Sequence, residues 1–322
     1  QCIGIAAINI NQNMRTLKYF LFFFIFLTVG AFGQQESSAR LFERLQAISE
    51  NNIDYYNIDG ITISSQVINI PFSKENICKG LSSLKESVLS KSVIFLSQKN
   101  FVYEKIDTLC NKFLQYNTNY FIENEKGHIT HIIYMSIDKQ CAELQKTLTP
   151  LIVEKKIPET VFNKEFFNTL NFAGRKIDLG TYACRWTNVN CVQCNYRGEM
   201  NWSVHRDSLD AVKSVEQQRY ITANCNFKKG DAKAVIENEI NIIFEGQPLK
   251  ASRITYQLEG EIGKLLLNTG GGNTRSLIIY YVVAPVRNNY VSCVMSHWNN
   301  DFLEEESGLP LLLGKVMQLK NK

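Results

Sequence analysis

The stretch SLIIYYVVAPVRNNYVSCVMSHW, residues 276–298, sets the expected fold of the C-terminal half of the chain. Two runs rich in β-branched and aromatic residues, 276–286 and 290–298, flank the polar segment 287–289. Asparagines in that segment tolerate the positive φ angles that tight turns between antiparallel strands require. The stretch therefore predicts a β-hairpin.

The segments around this hairpin extend the pattern. Alternating apolar residues predict two more strands, 234–246 (Ile236, Ile240, Ile242 and Phe244) and 251–260 (Ile254, Tyr256 and Leu258). Residues 207–221 have helical spacing and open on Asp207, a residue type that caps helix N-termini. Leu309, Leu312, Val316 and Leu319 recur at helical spacing in 307–319, with Pro310 in the first turn, and predict a closing C-terminal helix.

The N-terminal half has mixed patterns. Helical spacing is found in 37–49, 73–89, 103–114 and 138–157, whereas 55–70, 92–97 and the hairpin 120–137 have strand character. We therefore expect an α+β protein with two mixed domains. The first, 34–160, is α/β or α+β, and the second, 161–322, is an antiparallel sheet with a cysteine-rich loop and a closing C-terminal helix.

Residues 14–33 have the layout of a secretory signal peptide. Arg15 and Lys18 precede the apolar run 19–30, and the small residues Ala31 and Gly33, at positions −3 and −1, suit a cleavage site before Gln34. The run is shorter than the roughly 20 residues that a membrane span needs. Residues 1–13 are expected to be upstream translated sequence. The chain is thus predicted to be secreted or periplasmic, with membrane contact only if the segment stays uncleaved.

Composition fits a globular protein, since 45% of residues are hydrophobic and 20% are charged. The formal net charge of +4 is small for 322 residues. Because the basic residues form no stripe along the sequence, we expect no nucleic-acid partner.

The segment TYACRWTNVNCVQCNYRGEMNWSVHRD (181–207) contains three of the nine cysteines. A zinc site would use Cys184, Cys191, Cys194 and His205, with Glu199 as the nearby carboxylate if the metal were catalytic. A redox centre would need the CxxC at the start of a helix, but turn and strand residues follow it. Export favours the third alternative, structural disulfides.

The cysteine pairing stays partly open. We expect Cys184 to pair with Cys191 or Cys194, and the third member of the cluster to pair with Cys225 or Cys293. Cys110, Cys141 and Cys293 share apolar faces with their neighbours, so burial as free thiols is equally compatible with their positions.

Other candidate residues suit binding rather than catalysis. Ser203, His205 and Asp207 have the residue types of a hydrolase triad, but they lack a nucleophile elbow and lie too close in sequence. The binding candidates are aromatic residues around the cysteine loop and glycines in the segment 267–276: Trp186, Tyr196, Trp202, Gly270, Gly271 and Gly272.

The order of elements in 165–322, a strand with the turn FEGQPLKASRITY, a long hairpin, a strand pair and a terminal helix, resembles that of PsbP-like domains. This resemblance implies an α-β-α sandwich with an accessory or binding role outside the cytoplasm. It assigns no catalytic or metal-binding residue, and the cysteine cluster departs from its pattern.

The sequence as a whole predicts an exported, disulfide-stabilised, non-enzymatic binding or accessory protein without a cofactor. Its partner would be a protein or a small-molecule ligand. One alternative is a zinc-binding protein, structural rather than hydrolytic, that uses the cysteine cluster. Another is a cell-surface or envelope-assembly module held by an uncleaved N-terminal anchor.

Overall fold

The computed structural model describes residues 37–80, 84–91, 99–182, 184–225, 230–259 and 276–320. The chain divides into two compact units, residues 1–41 and residues 42–322. In the first unit, the Ser37 hydroxyl accepts a hydrogen bond from the backbone N–H of Arg40 at 3.5 Å. This contact caps helix α1 (Ser38–Arg44). The predicted signal segment, 14–33, lies outside the described residues.

The second unit opens with a six-stranded antiparallel sheet. Its spatial order is β1-β2-β3-β6-β5-β4. The strands are β1 (Gln46–Glu50), β2 (Ile53–Ile58), β3 (Ile61–Pro71), β4 (Asn100–Leu109), β5 (Phe113–Glu123) and β6 (His128–Ile137). Tight turns join β1 to β2, β2 to β3, β4 to β5 and β5 to β6, and the last of these is the predicted hairpin in 120–137. Residues 72–99, which include a helix, connect β3 to β4.

Helices α2 (Lys74–Gly80) and α3 (Ala142–Val153) pack against this first sheet. Ile77 of α2 packs with Phe121 and Ile129 of the sheet. From α3, the buried Gln145 accepts a hydrogen bond from the Tyr120 hydroxyl at 2.8 Å. The helix is thus held by buried polar contacts as well as by apolar burial.

The second sheet has eight antiparallel strands in the order β16-β12-β13-β14-β15-β11-β10-β9. The strands are β9 (Cys184–Asn188), β10 (Cys191–Cys194), β11 (Gly198–His205), β12 (Ala232–Phe244), β13 (Gln247–Leu258), β14 (Ser276–Val286), β15 (Asn289–Trp298) and β16 (Met317–Leu319). The hairpin predicted in 276–298 is confirmed, with positive φ at Arg287 and Asn288. It lies at the centre of the sheet, with strands paired on both sides.

One face of this sheet forms the main core. It is covered by a short hairpin, β7 (Thr169–Phe172) and β8 (Arg175–Asp178), and by the segment that contains helix α5 (Leu311–Gly314). Trp202 of β11 contacts Phe172 of β7 with ring centroids 5.7 Å apart. Because strand side chains alternate between faces, the residues on either side of Trp202 point to the opposite face of the sheet.

Helix α4 (Ser208–Cys225) covers part of that opposite face. Asp207 caps it as predicted, since its carboxylate accepts the backbone N–H of Asp210 at 2.9 Å. Val215 packs with Ile254 and Tyr281 of the sheet. The helix thus lies over the apolar part of this face.

The two large sheets meet at the turn between β2 and β3. The backbone N–H of Asp59 donates to the carbonyl of Val204 at 2.9 Å. The carboxylate of Asp59 accepts the backbone N–H of Arg206 at 2.9 Å and forms a 3.0 Å ion pair with Arg44. A disulfide between Cys110 and Cys225 adds a covalent link between the β4–β5 turn and the end of α4.

Four predicted helices are wrong or too long. The helix expected in 73–89 ends at Gly80, and Glu86–Val88 forms a separate 3-10 turn. Residues 103–114 belong to β4 and β5, joined at Cys110 and Asn111, which both have positive φ. Residues 307–319 contain only the single turn α5, because Met317–Leu319 forms the edge strand β16, which pairs with β12. The helix expected in 37–49 ends at Arg44, and β1 follows it. In 37–49, 103–114 and 307–319, strand pairing outweighs the local helical spacing. β1 and β4 pair with the next strands along the chain, whereas β16 pairs with the distant strand β12.

The expected α+β class is therefore wrong, since large antiparallel sheets make the protein mostly β. The closing C-terminal helix is part of the same error. The boundary expected between 160 and 161 falls in the connection between the sheets and stays a prediction. Among the described residues, no helix has both the length and the apolar character that crossing a membrane requires.

Candidate functional site

A cavity of about 620 Å³ lies beside α4, on the face of the eight-stranded sheet opposite the main core. Its walls come from the β10–β11 turn, from β11, β14 and β15, from α4 and from the turn after β15. Its volume is within the range of sites that bind small molecules.

Strand register places the polar floor of the cavity. Glu199 of β11 lies opposite Gln193 of β10 on one side and opposite Ser296 of β15 on the other. Residues opposite each other in neighbouring strands share a face, so these three side chains form a row across the sheet. Asn201 lies on the same face, two residues along β11.

Helix α4 forms one wall of the cavity. The Asn201 amide donates to the Gln218 side-chain oxygen at 3.4 Å, which joins β11 to the helix. Thr222, one helical turn further, also lines the cavity. The helix thus covers the apolar strands with one part of its surface and borders the polar cavity with another.

Two carboxyl groups line the cavity, and both have raised pKa values. Burial is the main cause for Glu199, which accepts a hydrogen bond from the Cys191 thiol at 3.8 Å. Burial also raises the pKa of Asp301, although the backbone N–H of Trp298 donates to its carboxylate at 3.1 Å. Both charges are therefore costly in the absence of further hydrogen-bond donors.

His297 borders the cavity at the end of β15, but its side chain lies on the core face of the sheet, beside Tyr280. Burial lowers its pKa, and its ring stacks on Tyr280 with centroids 6.0 Å apart. Nδ1 lies 3.0 Å from the carbonyl oxygen of Trp298, so Nδ1 carries the proton. The described lining residues include neither Lys nor Arg.

Exposed aromatic rings stand at the rim. Tyr196, which is 60% exposed, lines the cavity, and Phe302, which is 63% exposed, lies 6.0 Å from it between ring centroids. The Tyr196 carbonyl accepts the backbone N–H of Phe302 at 3.0 Å. The guanidinium of Arg197 stacks on Tyr182 at 3.7 Å from the ring centroid. The rim is therefore tied together by its backbone as well as by its rings.

The cysteine cluster forms one disulfide, between Cys184 and Cys194. These residues lie directly opposite each other in β9 and β10, with Cα atoms 4.1 Å apart. Cys191 is not paired, contrary to expectation, because it points to the other face of β10, toward Glu199. Cys225, the partner expected for the third cysteine, pairs with Cys110 instead. Cys293 is a free thiol inside the main core.

The four residues of the zinc alternative do not converge. Cys184 and Cys194 are bonded to each other, and Cys191 lies opposite Asn201, four residues from His205. That spacing is roughly 13 Å along a strand. His205 is 1% exposed, its Nε2 lies 2.7 Å from the Ser292 hydroxyl, and burial lowers its pKa to about 4. Within the described ranges, no group of three His, Cys, Asp or Glu side chains is arranged to hold a metal ion.

Of the predicted binding residues, the structure brings only Tyr196 to the cavity among those it describes. Trp202 is 1% exposed and belongs to the core, and Trp186 packs edge-on against it at 6.2 Å. Both are therefore corrected to packing residues. Gly270, Gly271 and Gly272 lie outside the described residues.

Sequence reasoning missed most of the cavity. Gln218, Asn300 and Asp301 stand in segments that show no motif. One signal was present, namely the polar residues that alternate with Met200 and Trp202 along β11. Polar residues on a strand face that a helix partly covers indicate a site rather than simple solvent exposure.

Comparison with known proteins identifies no relative. No protein-family model and no curated protein matches the chain, so the resemblance to PsbP-like domains stays a prediction. One solved structure, the di-domain ARO/CYC StfQ from the steffimycin biosynthetic pathway, aligns over 83% of this chain and 76% of that chain at 9% identity. Its TM-score is 0.15, and a similarity that low carries no argument about fold or function.

Replacing Gly198 by alanine should destabilise the turn that leads into the cavity. Gly198 has a φ of +95°, and an added Cβ would collide with Leu313 Cδ1 in the core. Conformational strain and overpacking together predict a loss of about 2–4 kcal/mol in the free energy of unfolding. Gly246→Ala is the matched control, because Gly246 has a φ of +78° but nothing within 4 Å. Equal losses in urea titrations of the two variants would contradict the packing proposed for this turn.

Replacing Glu199 by glutamine should stabilise the protein at pH 7. The pKa of Glu199 is raised in the fold, so its contribution to stability falls as pH rises from the unfolded pKa through the folded pKa. Glutamine removes this pH dependence and still accepts the Cys191 hydrogen bond. The advantage of the variant in urea titrations should shrink as pH falls toward 4. An advantage that grows at acidic pH would show that the carboxylate is stabilised by its surroundings.

Proposed function

We propose that the protein is an exported, non-enzymatic binding protein that holds a small polar ligand in the cavity beside α4. The observation that carries this proposal is the cavity itself, in which polar side chains from α4 and from separate strands converge around about 620 Å³. A concave site of this volume with convergent polar groups is the arrangement that recognises small molecules.

The two disulfides support the export part of the proposal. Cys110–Cys225 and Cys184–Cys194 each involve an element that borders the cavity, namely α4 and β10. Disulfides persist in oxidising compartments such as the periplasm and the extracellular space. This agrees with the signal peptide predicted in residues 14–33.

The amide groups of the lining support a binding role. Five amide side chains face the cavity: Gln193, Asn195, Asn201, Gln218 and Asn300. Amides donate and accept hydrogen bonds but do not titrate or attack substrates near neutral pH. Cys194, which also lines the cavity, is held in a disulfide and has no thiolate to offer. The zinc alternative is not carried further, because that disulfide uses two of its four ligands.

A thermal-shift screen of small polar metabolites against wild type and a cavity-filling variant, Gln218→Trp, tests the proposal. A ligand present at 100 times its Kd stabilises a protein by about 2.7 kcal/mol, so a true ligand should raise the wild-type Tm by several degrees. Gln218→Trp should abolish that shift. Val212→Trp, at an exposed position of the same helix outside the cavity, should retain it. The proposal fails if no compound shifts wild type or if both variants respond alike.

A further inference from the structure

The lining of the cavity narrows the class of ligand, an argument that rests on the proposed function. The five amides each offer donors and acceptors, whereas Glu199 and Asp301 offer acceptors when ionised. A ligand that satisfies this set must itself both donate and accept. Hydroxyl groups do both, so a ligand with several hydroxyls matches the polar part of the lining, which Leu277, Ile279 and Val294 complete with apolar surface.

Other ligand classes match the lining less well. An ammonium group only donates, so it would pair with the carboxylates and leave the amide N–H groups without acceptors. A phosphate or carboxylate ligand would meet two acidic side chains without a lining Lys or Arg among the described residues. An apolar ligand would desolvate all these groups and leave them without hydrogen-bond partners, which is unfavourable.

The raised pKa values of the two carboxyl groups fit a hydroxyl-rich ligand. Burial raises the pKa of Glu199 and of Asp301, so their charged forms lack full solvation. Hydroxyl donors from a ligand would supply the missing hydrogen bonds to both carboxylates. Hydrogen bonds to a charged acceptor are stronger than those between neutral groups, which would favour the ligand over water.

The aromatic rim supplies the second contact that a sugar needs. A pyranose ring carries C–H bonds on its faces, and these are attracted to the electron-rich face of an aromatic ring. Tyr196 lines the cavity, and Phe302 contacts it; a backbone hydrogen bond between the two residues fixes the positions of their main chains before a ligand binds. Aromatic groups that are fixed before binding lose little entropy when the ligand arrives.

We infer that the cavity binds a neutral saccharide, with sugar hydroxyls on the amide and carboxylate groups and a sugar face against Tyr196 or Phe302. The ligand is hydroxyl-rich and uncharged, and part of it extends from the cavity to the rim. Glu199 and Asp301 act as hydrogen-bond acceptors in this site.

The test is a glycan array of neutral and acidic saccharides, probed with the full exported chain, followed by calorimetric titration of the best soluble glycan. Neutral glycans should bind. Tyr196→Ala, Phe302→Ala and Asn201→Ala should each weaken binding about tenfold, which corresponds to about 1.4 kcal/mol. Phe167→Ala is the matched control, since Phe167 is exposed but lies outside the cavity and its rim.

The other outcomes overturn the inference in distinguishable ways. If spermidine binds, Gln218→Trp blocks it and no glycan binds, the binding function stands and the saccharide is wrong. If only acidic glycans bind, the inference of a neutral ligand is wrong. Glycan binding that survives all three cavity variants would place the sugar elsewhere on the protein. If neither glycans nor the metabolite library bind, the saccharide inference and the proposed function both fail.

Discussion

The register between β11 and β15 is the constraint on which both the core and the cavity depend. It sets Glu199 opposite Ser296 on the cavity face and Trp202 opposite Cys293 in the core. A shift by one residue would exchange these faces, placing Glu199 and Asn201 among apolar side chains and Trp202 beside α4. Because an unpaired carboxylate in a core is strongly unfavourable, the alternation along β11 specifies a single register. The polar floor of the cavity is thus one face of β11, and the other face of the same strand packs in the main core.

The strands of the eight-stranded sheet could be predicted because their signal is local. Alternating residues in 234–246 and 251–260 and the polar turn at 287–289 identify β12 to β15 within a few residues. The helices of 103–114 and 307–319 failed for one physical reason. Apolar residues spaced three or four apart suit a helix, but β4 and β16 gain more by pairing with β5 and β12. The partner of β16 lies far along the chain, so no local pattern indicates that pairing. The mostly β class follows from those same pairings.

The candidate site was harder to predict than the fold, because its residues come from distant parts of the chain. Glu199 and Asp301 face one cavity although they are separated by the helix and four strands of the sheet. Tyr196 was identifiable as an aromatic residue in a turn. Residue type alone did not distinguish Trp202 from Tyr196 as a binding candidate. Trp202 is buried because it lies on the core face of its strand. Cys194 and Cys191 likewise lie on opposite faces of β10. Cys194 forms a disulfide with Cys184, whereas the thiol of Cys191 donates to Glu199.

Mass-spectrometric mapping of the disulfides under non-reducing conditions, with free thiols alkylated, tests this account most directly. The account predicts two linked pairs, Cys110 with Cys225 and Cys184 with Cys194, and alkylated thiols at Cys78, Cys191 and, after denaturation, Cys141 and Cys293. The first pair fixes the end of α4 and the second fixes the register of β10, so together they report on two walls of the cavity. A bond between Cys191 and Cys184 would require Cys191 to lie on the same sheet face as Cys184. Cys191 would then no longer lie beside Glu199, which contradicts the site described above. Free thiols at Cys184 and Cys194 would contradict both the disulfide between them and the proposed export to an oxidising compartment.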